Sequence, residues 1–148
     1  APAPNREDGW FVLPAQMATG ELRDVATGGP LDFARPPLPS AWYVAAAATP
    51  ATASRWLQYH LRIWEEARKP ERQQNTQLFS ALVQWHCRRH RPPLARLALV
   101  FVRERTPPPN EEAPPPEHLQ IWQEDCLGWF PEQAELLRAR AANATAAA

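Results

Sequence analysis

The side chains best suited to chemistry lie together between residues 85 and 90, where His86 and His90 are four residues apart and Cys87 follows the first. On a helix this spacing puts both imidazoles on one face, as in a two-histidine metal pair, while Cys87 lies about 100° away. A zinc site needs a third and usually a fourth protein ligand. The remaining candidates for that ligand are His60, His118 and Cys126. Arg88, Arg89 and Arg91, in or directly after this stretch, would repel a cation, so we expect these histidines to lie on a half-buried face or to meet acidic groups of a partner.

The two cysteines, Cys87 and Cys126, are too few for a disulfide framework, and no Cys-x-x-Cys motif is present. A nucleophile or a redox pair is one interpretation, but each cysteine lies in an apolar pattern that is typical of a small buried side chain. Adjacent carboxylates on a helix point apart, so the acidic pairs indicate a solvated or partner-facing surface. These pairs are Glu65–Glu66, Glu111–Glu112 and Glu124–Asp125. With no phosphate loop or dinucleotide motif either, we expect no catalytic, cofactor-binding or metal-binding residues.

Composition argues against several classes of protein. The 148 residues carry 16 basic and 16 acidic side chains, and this zero net charge argues against a nucleic-acid binder that relies on a basic surface. No apolar run approaches the roughly 18 residues of a membrane-spanning helix. Eighteen prolines and seven tryptophans favour a chain with little regular core of its own, which completes that core on a partner.

Two parts are expected along the chain. Prolines and a Gly-Gly-Pro turn interrupt residues 1–50, which we predict to be an extended arm with aromatic anchors such as Trp10 and Trp42. The alternative is a loose extension whose aromatic side chains fold back onto the helices. Residues 51–148 are predicted to form a helical domain that contains a proline-rich linker at 106–116.

Apolar spacings of three and four residues predict helices in the second part. Asn75 or Thr76 can cap the second helix, and Pro131 fits the first turn of the last one. The third helix is apolar nearly all round and should be the most buried. The predicted fold class is therefore all-α, with about five helices at 52–69, 76–90, 93–105, 117–129 and 131–142.

The segment from Pro116 to Arg140 contains a Trp, a short acidic run, a Pro and a helix that ends in a Glu-x-x-Arg-x-Arg pattern. The residues in question are Trp122, Glu124, Asp125, Pro131, Glu135, Arg138 and Arg140. This pattern resembles the C-terminal region of subunit 7 of the mitochondrial cytochrome bc1 complex, the ubiquinone-binding subunit family of respiratory complex III. A fainter similarity begins near residue 56 and includes Leu78-Phe79 and Cys87-Arg88-Arg89.

The resemblance implies a non-catalytic accessory subunit that supports assembly and electron transport without performing a redox step. It would lie peripherally on the matrix side of the mitochondrial inner membrane, against cytochrome b and the core subunits, with lipid contact allowed and no nucleic acid bound. The chain itself would bind no cofactor, because the haems and the iron–sulfur cluster belong to partner subunits. The expected partner interface consists of Trp10, Trp42, Trp122, Cys126, Trp129, Pro131, Arg138 and Arg140.

Two other interpretations remain open from the sequence. The first is an accessory subunit of another mitochondrial assembly, namely complex I, ATP synthase or the mitoribosome, although zero net charge weakens the ribosomal choice. The second is a metal- or thiol-dependent enzyme that uses His86, His90 and Cys87.

Overall fold

Over residues 7–35 and 50–129, the fold is a five-stranded antiparallel sheet with two α-helices packed on one face. The computed structural model describes residues 7–35 and 50–129, together with positions 135, 138–139 and 142–143. The strands are β1 (Glu7–Val12), β2 (Pro14–Met17), β3 (Leu22–Asp24), β4 (Leu94–Arg105) and β5 (Glu117–Asp125). The helices are α1 (Pro50–Ala67) and α2 (Thr76–Arg89), and short 3-10 turns occupy Glu71–Gln73 and Leu127–Trp129.

Strand β4 is the centre of the sheet. β1 and β2 lie end to end along one of its edges, β5 lies along the other, and β3 pairs with the outer side of β2. The register is the same on both sides of the break between β1 and β2, since Val12 pairs with Val100 and Ala15 with Leu97. β1 and β2 are therefore one extended segment that is interrupted at a single residue, Leu13.

Asp24 causes this interruption. Its Oδ1 accepts hydrogen bonds from the backbone N–H groups of Leu13 (3.0 Å) and Ala26 (2.9 Å), and the Leu13 carbonyl accepts a hydrogen bond from Val25 N (3.0 Å). Leu13 thus bonds toward β3 and the loop after it. Asp24 is 4% exposed, and this burial raises the pKa of its carboxyl group.

The main core lies between the sheet and the two helices. Successive side chains of a strand point to opposite faces, so Phe11 on β1 and Leu97, Leu99 and Phe101 on β4 point toward the helices. Ile63 of α1 packs against them from above. Helix α2 contributes Phe79, Leu82, Val83, His86 and Cys87, all buried.

The strand side chains that alternate with those of the main core form a second cluster. Residues 31–35 pack against this cluster. Trp10, Val12 and Val102 are buried there, with Leu31 and Phe33 packed against them. The Trp10 Nε1 donates a hydrogen bond to the Phe33 carbonyl (3.1 Å).

A disulfide joins the helical layer to the sheet. Cys87 in the last turns of α2 is bonded to Cys126, the residue after β5, across a separation of 39 residues. Both sulfur-bearing side chains are fully buried in the main core. The sequence contains two cysteines, so no thiol remains free.

The all-α prediction is wrong, although two of its five helices are confirmed. Helices at 52–69 and 76–90 correspond to α1 and α2, and Asn75 caps α2 by accepting a hydrogen bond from Gln77 N. The predicted helices at 93–105 and 117–129 are instead β4 and β5. Most of the predicted helix at 131–142 lies outside the described residues.

Each wrong helix has a physical reason. β4 is covered on both faces, and a strand buried on both faces has the same uninterrupted apolar sequence as a buried helix. In β5, Ile121 is an extra residue, since Leu99 pairs with Trp122 and Val100 with Gln120. Such a bulge disturbs the strict two-residue alternation of a strand. The extended arm is wrong for residues 7–24, because β1 to β3 belong to the sheet.

Candidate functional site

An open cleft lies between the C-terminal half of α1 and the first half of β5, and we call it the α1–β5 cleft. Its volume is about 520 Å³. Its apolar wall combines α1 with the edge strand of the sheet, and polar side chains surround that wall. The lining residues are Trp64, Ala67, Arg68, Glu71, Gln74, Arg103, Leu119, Gln120 and Ile121.

Trp64 forms the floor of the α1–β5 cleft. Its ring stacks on Phe101 of β4 with centroids 3.8 Å apart and planes 17° apart. The Arg68 guanidinium, one helical turn further on, lies 5.9 Å from the Trp64 ring centroid. An indole held on one side by the core and half-exposed on the other is a fixed apolar platform.

The turn that follows α1 holds one side of the cleft in place. Gln74 Nε2 donates hydrogen bonds to the carbonyls of Ala67 and Lys69, each at 3.0 Å. Glu66 accepts from Asn75 N (2.7 Å) and from Lys69 Nζ (2.8 Å). The hydrogen bond from Lys69, followed by that from Asn75, lowers the pKa of the Glu66 carboxyl. These contacts fix the turn relative to the helix.

Strands β4 and β5 form the opposite side. Arg103 Nη2 donates to Glu117 Oε2 at 2.7 Å, across the strand pair. This hydrogen bond is the main reason that the pKa of Glu117 is lowered. The bulge at Ile121 adds a residue to β5 beside the cleft, where both Ile121 and Leu119 are half-buried.

A second notable group is an aromatic cluster with two buried histidines between α1 and α2. Trp56 lies 5.0 Å from Trp85, 5.9 Å from His60 and 6.0 Å from His86, between ring centroids. Tyr59 packs edge-on against Trp56 at 6.1 Å. These rings join the two helices above the sheet.

Burial favours the uncharged form of both of these histidines. Desolvation lowers the pKa of His60, whose Nδ1 donates to the Trp56 carbonyl at 2.7 Å. It lowers the pKa of His86 to about 4, with smaller contributions from the charges of His60 and His90. The Nε2 of His86 is buried and has no hydrogen-bond partner. A neutral imidazole enclosed in this way is poorly placed to exchange protons with a substrate.

The predicted metal or thiol chemistry does not assemble around Cys87. Its sulfur is in the disulfide, and His90 follows the end of α2, where its Nδ1 donates to the Pro92 carbonyl at 2.8 Å. Within residues 7–35 and 50–129 and the separate positions near the C-terminus, no three His, Cys, Asp or Glu side chains form a group that could hold a metal ion. In the same part of the chain no helix is both long and apolar enough to cross a bilayer.

The residues predicted to face a partner are placed as follows. Trp10 is 2% exposed, and Cys126 is buried in the disulfide. Trp122 is half-buried, with its ring 6.3 Å from that of Phe79. Arg138 is exposed and lies 3.5 Å from an Asp125 carboxylate oxygen. The structure does not describe Trp42, Pro131, Arg140 or the Trp129 side chain. That interface stays a prediction.

The sequence did not identify the cleft. Trp64 lies in the predicted helix at 52–69, which is confirmed, but Arg103 and Leu119 lie in the two predicted helices that are strands, so their pairing across β4 and β5 was not expected. No strict strand signal pointed to β5, because the bulge at Ile121 breaks the alternation that would otherwise place Leu119 on the edge of a sheet.

Comparison of the chain with protein-family models, with curated proteins and with solved structures finds no match. The resemblance to a subunit of complex III has no support from these comparisons. The segment that resembles subunit 7 was expected to be helical from residue 117, and it forms β5 instead. The geometry of the α1–β5 cleft is therefore the basis for a functional proposal.

Proposed function

We propose that this chain is a non-catalytic binding domain that docks a segment of a partner protein in the α1–β5 cleft. The observation that carries the proposal is the arrangement of Trp64, Leu119 and Ile121 as a half-buried apolar surface with Arg68 at its rim. Aromatic and arginine side chains are enriched among the residues that dominate binding energy at protein interfaces.

The shape of the cleft favours a protein segment over a small molecule. Sites for small molecules enclose most of the ligand surface, whereas this cleft is bordered by one helix and one edge strand and opens to solvent. A side chain inserted from a partner needs only the apolar floor and a polar rim. Preformed walls reduce the ordering that binding requires, and the hydrogen bonds of Gln74 and Glu66 preform one of them.

Charge indicates what the partner segment carries. Arg68 is exposed at the rim beside the Trp64 ring. An apolar side chain that packs on Trp64 and Leu119, with a carboxylate next to it, complements the floor and this guanidinium together. A chain with this role is non-catalytic and binds a partner protein, as the sequence predicts. We do not propose that it belongs to a particular complex.

The test is selection from a display library of random peptides on the purified full chain, followed by calorimetric titration of the selected peptides. We expect enrichment of an apolar residue next to Asp or Glu. Arg68→Glu should weaken binding by about tenfold, which corresponds to about 1.4 kcal/mol. Ala67→Glu, which introduces a charged side chain into the cleft, should weaken it as well.

The matched control is Arg62→Glu, which makes the same change on an exposed position of α1 that does not line the cleft. It should leave the affinity within about twofold of the wild-type value. Peptides without the predicted pattern, or equal losses for Arg62→Glu and Arg68→Glu, would contradict docking in the cleft.

A further inference from the structure

We propose that the disulfide between Cys87 and Cys126 is introduced by a disulfide-bearing oxidant in an oxidising compartment, before α2 packs against the sheet. This inference concerns the maturation of the chain and is independent of the cleft. The structure supplies two observations for it: the bond joins two separate layers, and both cysteines are 0% exposed.

Burial fixes the order of events. Thiol–disulfide exchange requires a thiolate and an attacked sulfur to meet, and neither Cys87 nor Cys126 is accessible in the folded chain. Leu82, Leu97 and Leu99 belong to the same core cluster as the two cysteines. An oxidant reaches the thiols only while α2 is undocked, so oxidation accompanies folding and does not follow it.

The chemistry balances as two successive exchanges. The thiolate of one cysteine attacks the disulfide of the oxidant, and a mixed disulfide forms as one oxidant sulfur leaves as a thiolate. The second cysteine of the chain then attacks the mixed disulfide and releases the other oxidant sulfur. Cys87 and Cys126 together lose two protons and two electrons, and the two sulfurs of the oxidant depart as thiols.

The compartment follows from the same bond. Disulfides form and persist in oxidising environments, whereas glutathione and thioredoxin keep thiols reduced in the cytosol. Both cysteines of this chain are used in the one bond. We therefore place folding of the chain in an oxidising compartment, which departs from the matrix-side location that the resemblance to subunit 7 implies.

The compartment is tested on the full chain in cells of its source organism. The cells are quenched in acid, and the protein is alkylated with a polymer-tagged maleimide under denaturing conditions, so that burial cannot protect a thiol. We expect no adduct before reduction and two adducts after it. A Cys126→Ala variant should take one adduct without reduction, which proves that the reagent reaches Cys87. Two adducts on the unreduced wild-type chain would overturn the proposal.

The order is tested by adding oxidised glutathione to the reduced chain either at the start of refolding or after it, with near-ultraviolet circular dichroism reporting tertiary packing. We expect late oxidation to be slower by at least about tenfold, because it must wait for opening of the core. A reduced chain that never packs also supports oxidation before docking. Equal rates with a fully packed reduced chain would refute the order.

Discussion

Acidification from pH 7 to pH 4 should destabilise the fold chiefly through His86. This side chain is 6% exposed, and burial lowers its pKa from 6.5 to about 4. In the unfolded chain the imidazole takes up a proton near pH 6.5, while in the folded chain it stays neutral until about pH 4. Between these values the unfolded state binds more protons, so stability falls as the pH falls.

The size of the effect follows from the shift. One pKa unit is worth about 1.36 kcal/mol, so a change from 6.5 to about 4 corresponds to about 3 kcal/mol of stability that is present above pH 6.5 and lost by pH 4. About 2 kcal/mol of it should be lost already at pH 5. The lowered pKa of His60 acts in the same direction.

The variant that isolates the effect of His86 on the pH dependence is His86→Leu. It replaces the imidazole by an apolar side chain of similar volume. Urea unfolding followed by tryptophan fluorescence should give the wild type a steeper loss of unfolding free energy between pH 6.5 and 5 than the variant. Titrating groups elsewhere contribute to both proteins and cancel in the difference. A wild-type-minus-variant difference that does not change with pH would refute this account of the buried imidazole.

Three further changes test the fold. Replacing both Cys87 and Cys126 by Ala, or reducing the wild type, should lower the unfolding free energy by about 4 kcal/mol for a loop of 39 residues in urea titrations; an unchanged midpoint would contradict this. Asp24→Ala should cost about 1–3 kcal/mol by leaving two backbone amides without their acceptor. Asp24→Asn, which keeps an oxygen in place, should cost less, and equal losses would argue against the hydrogen bonds. Gly9→Ala should lower the thermal midpoint, because a side chain of β4 and a carbonyl occupy the position of the new methyl group. Gly128→Ala, with open space around it, should not, and a matching shift there would refute the steric reason.

The sequence predicts the helical layer because local signals determine it. α1 and α2 are amphipathic, Asn75 caps the second helix, and Pro70 follows the end of the first. These features act within a few residues of one another. Cys87, which the apolar pattern predicted to be a small buried side chain, is likewise buried in α2.

The sheet could not be predicted in the same way, because its strands are defined by partners far along the chain. Phe11 pairs with Phe101, ninety positions later, and nothing near Phe11 indicates that partner. Prolines at 2, 4 and 14 favoured an arm, but Pro14 begins β2 directly after the break at Leu13, where strand pairing is already interrupted. The Asp24 side chain, which accepts a hydrogen bond from the Leu13 N–H at this break, lies eleven residues further along the chain.

The predicted partner interface depended on whether residues 117–125 form a helix or a strand. As a helix, the segment from residue 117 aligned Trp122, Cys126 and Trp129 on one face and suggested an external docking element. As a strand, it directs Trp122 toward Phe79 and ends beside the disulfide. Of these three residues only Trp122 lies in β5, since Cys126 follows the strand and Trp129 ends the short 3-10 turn after it.

The described contacts make β5 the element on which the α1–β5 cleft depends. Its first half supplies Leu119 and Ile121, Arg103 of β4 is tied across to Glu117, and the disulfide at Cys126 anchors its far end to α2. The opposite wall belongs to α1 and its turn. A cleft whose two walls are fixed by separate covalent and hydrogen-bonded contacts can present Trp64 to a partner without rearranging. This is the property that distinguishes a preformed docking surface from an apolar residue exposed by chance.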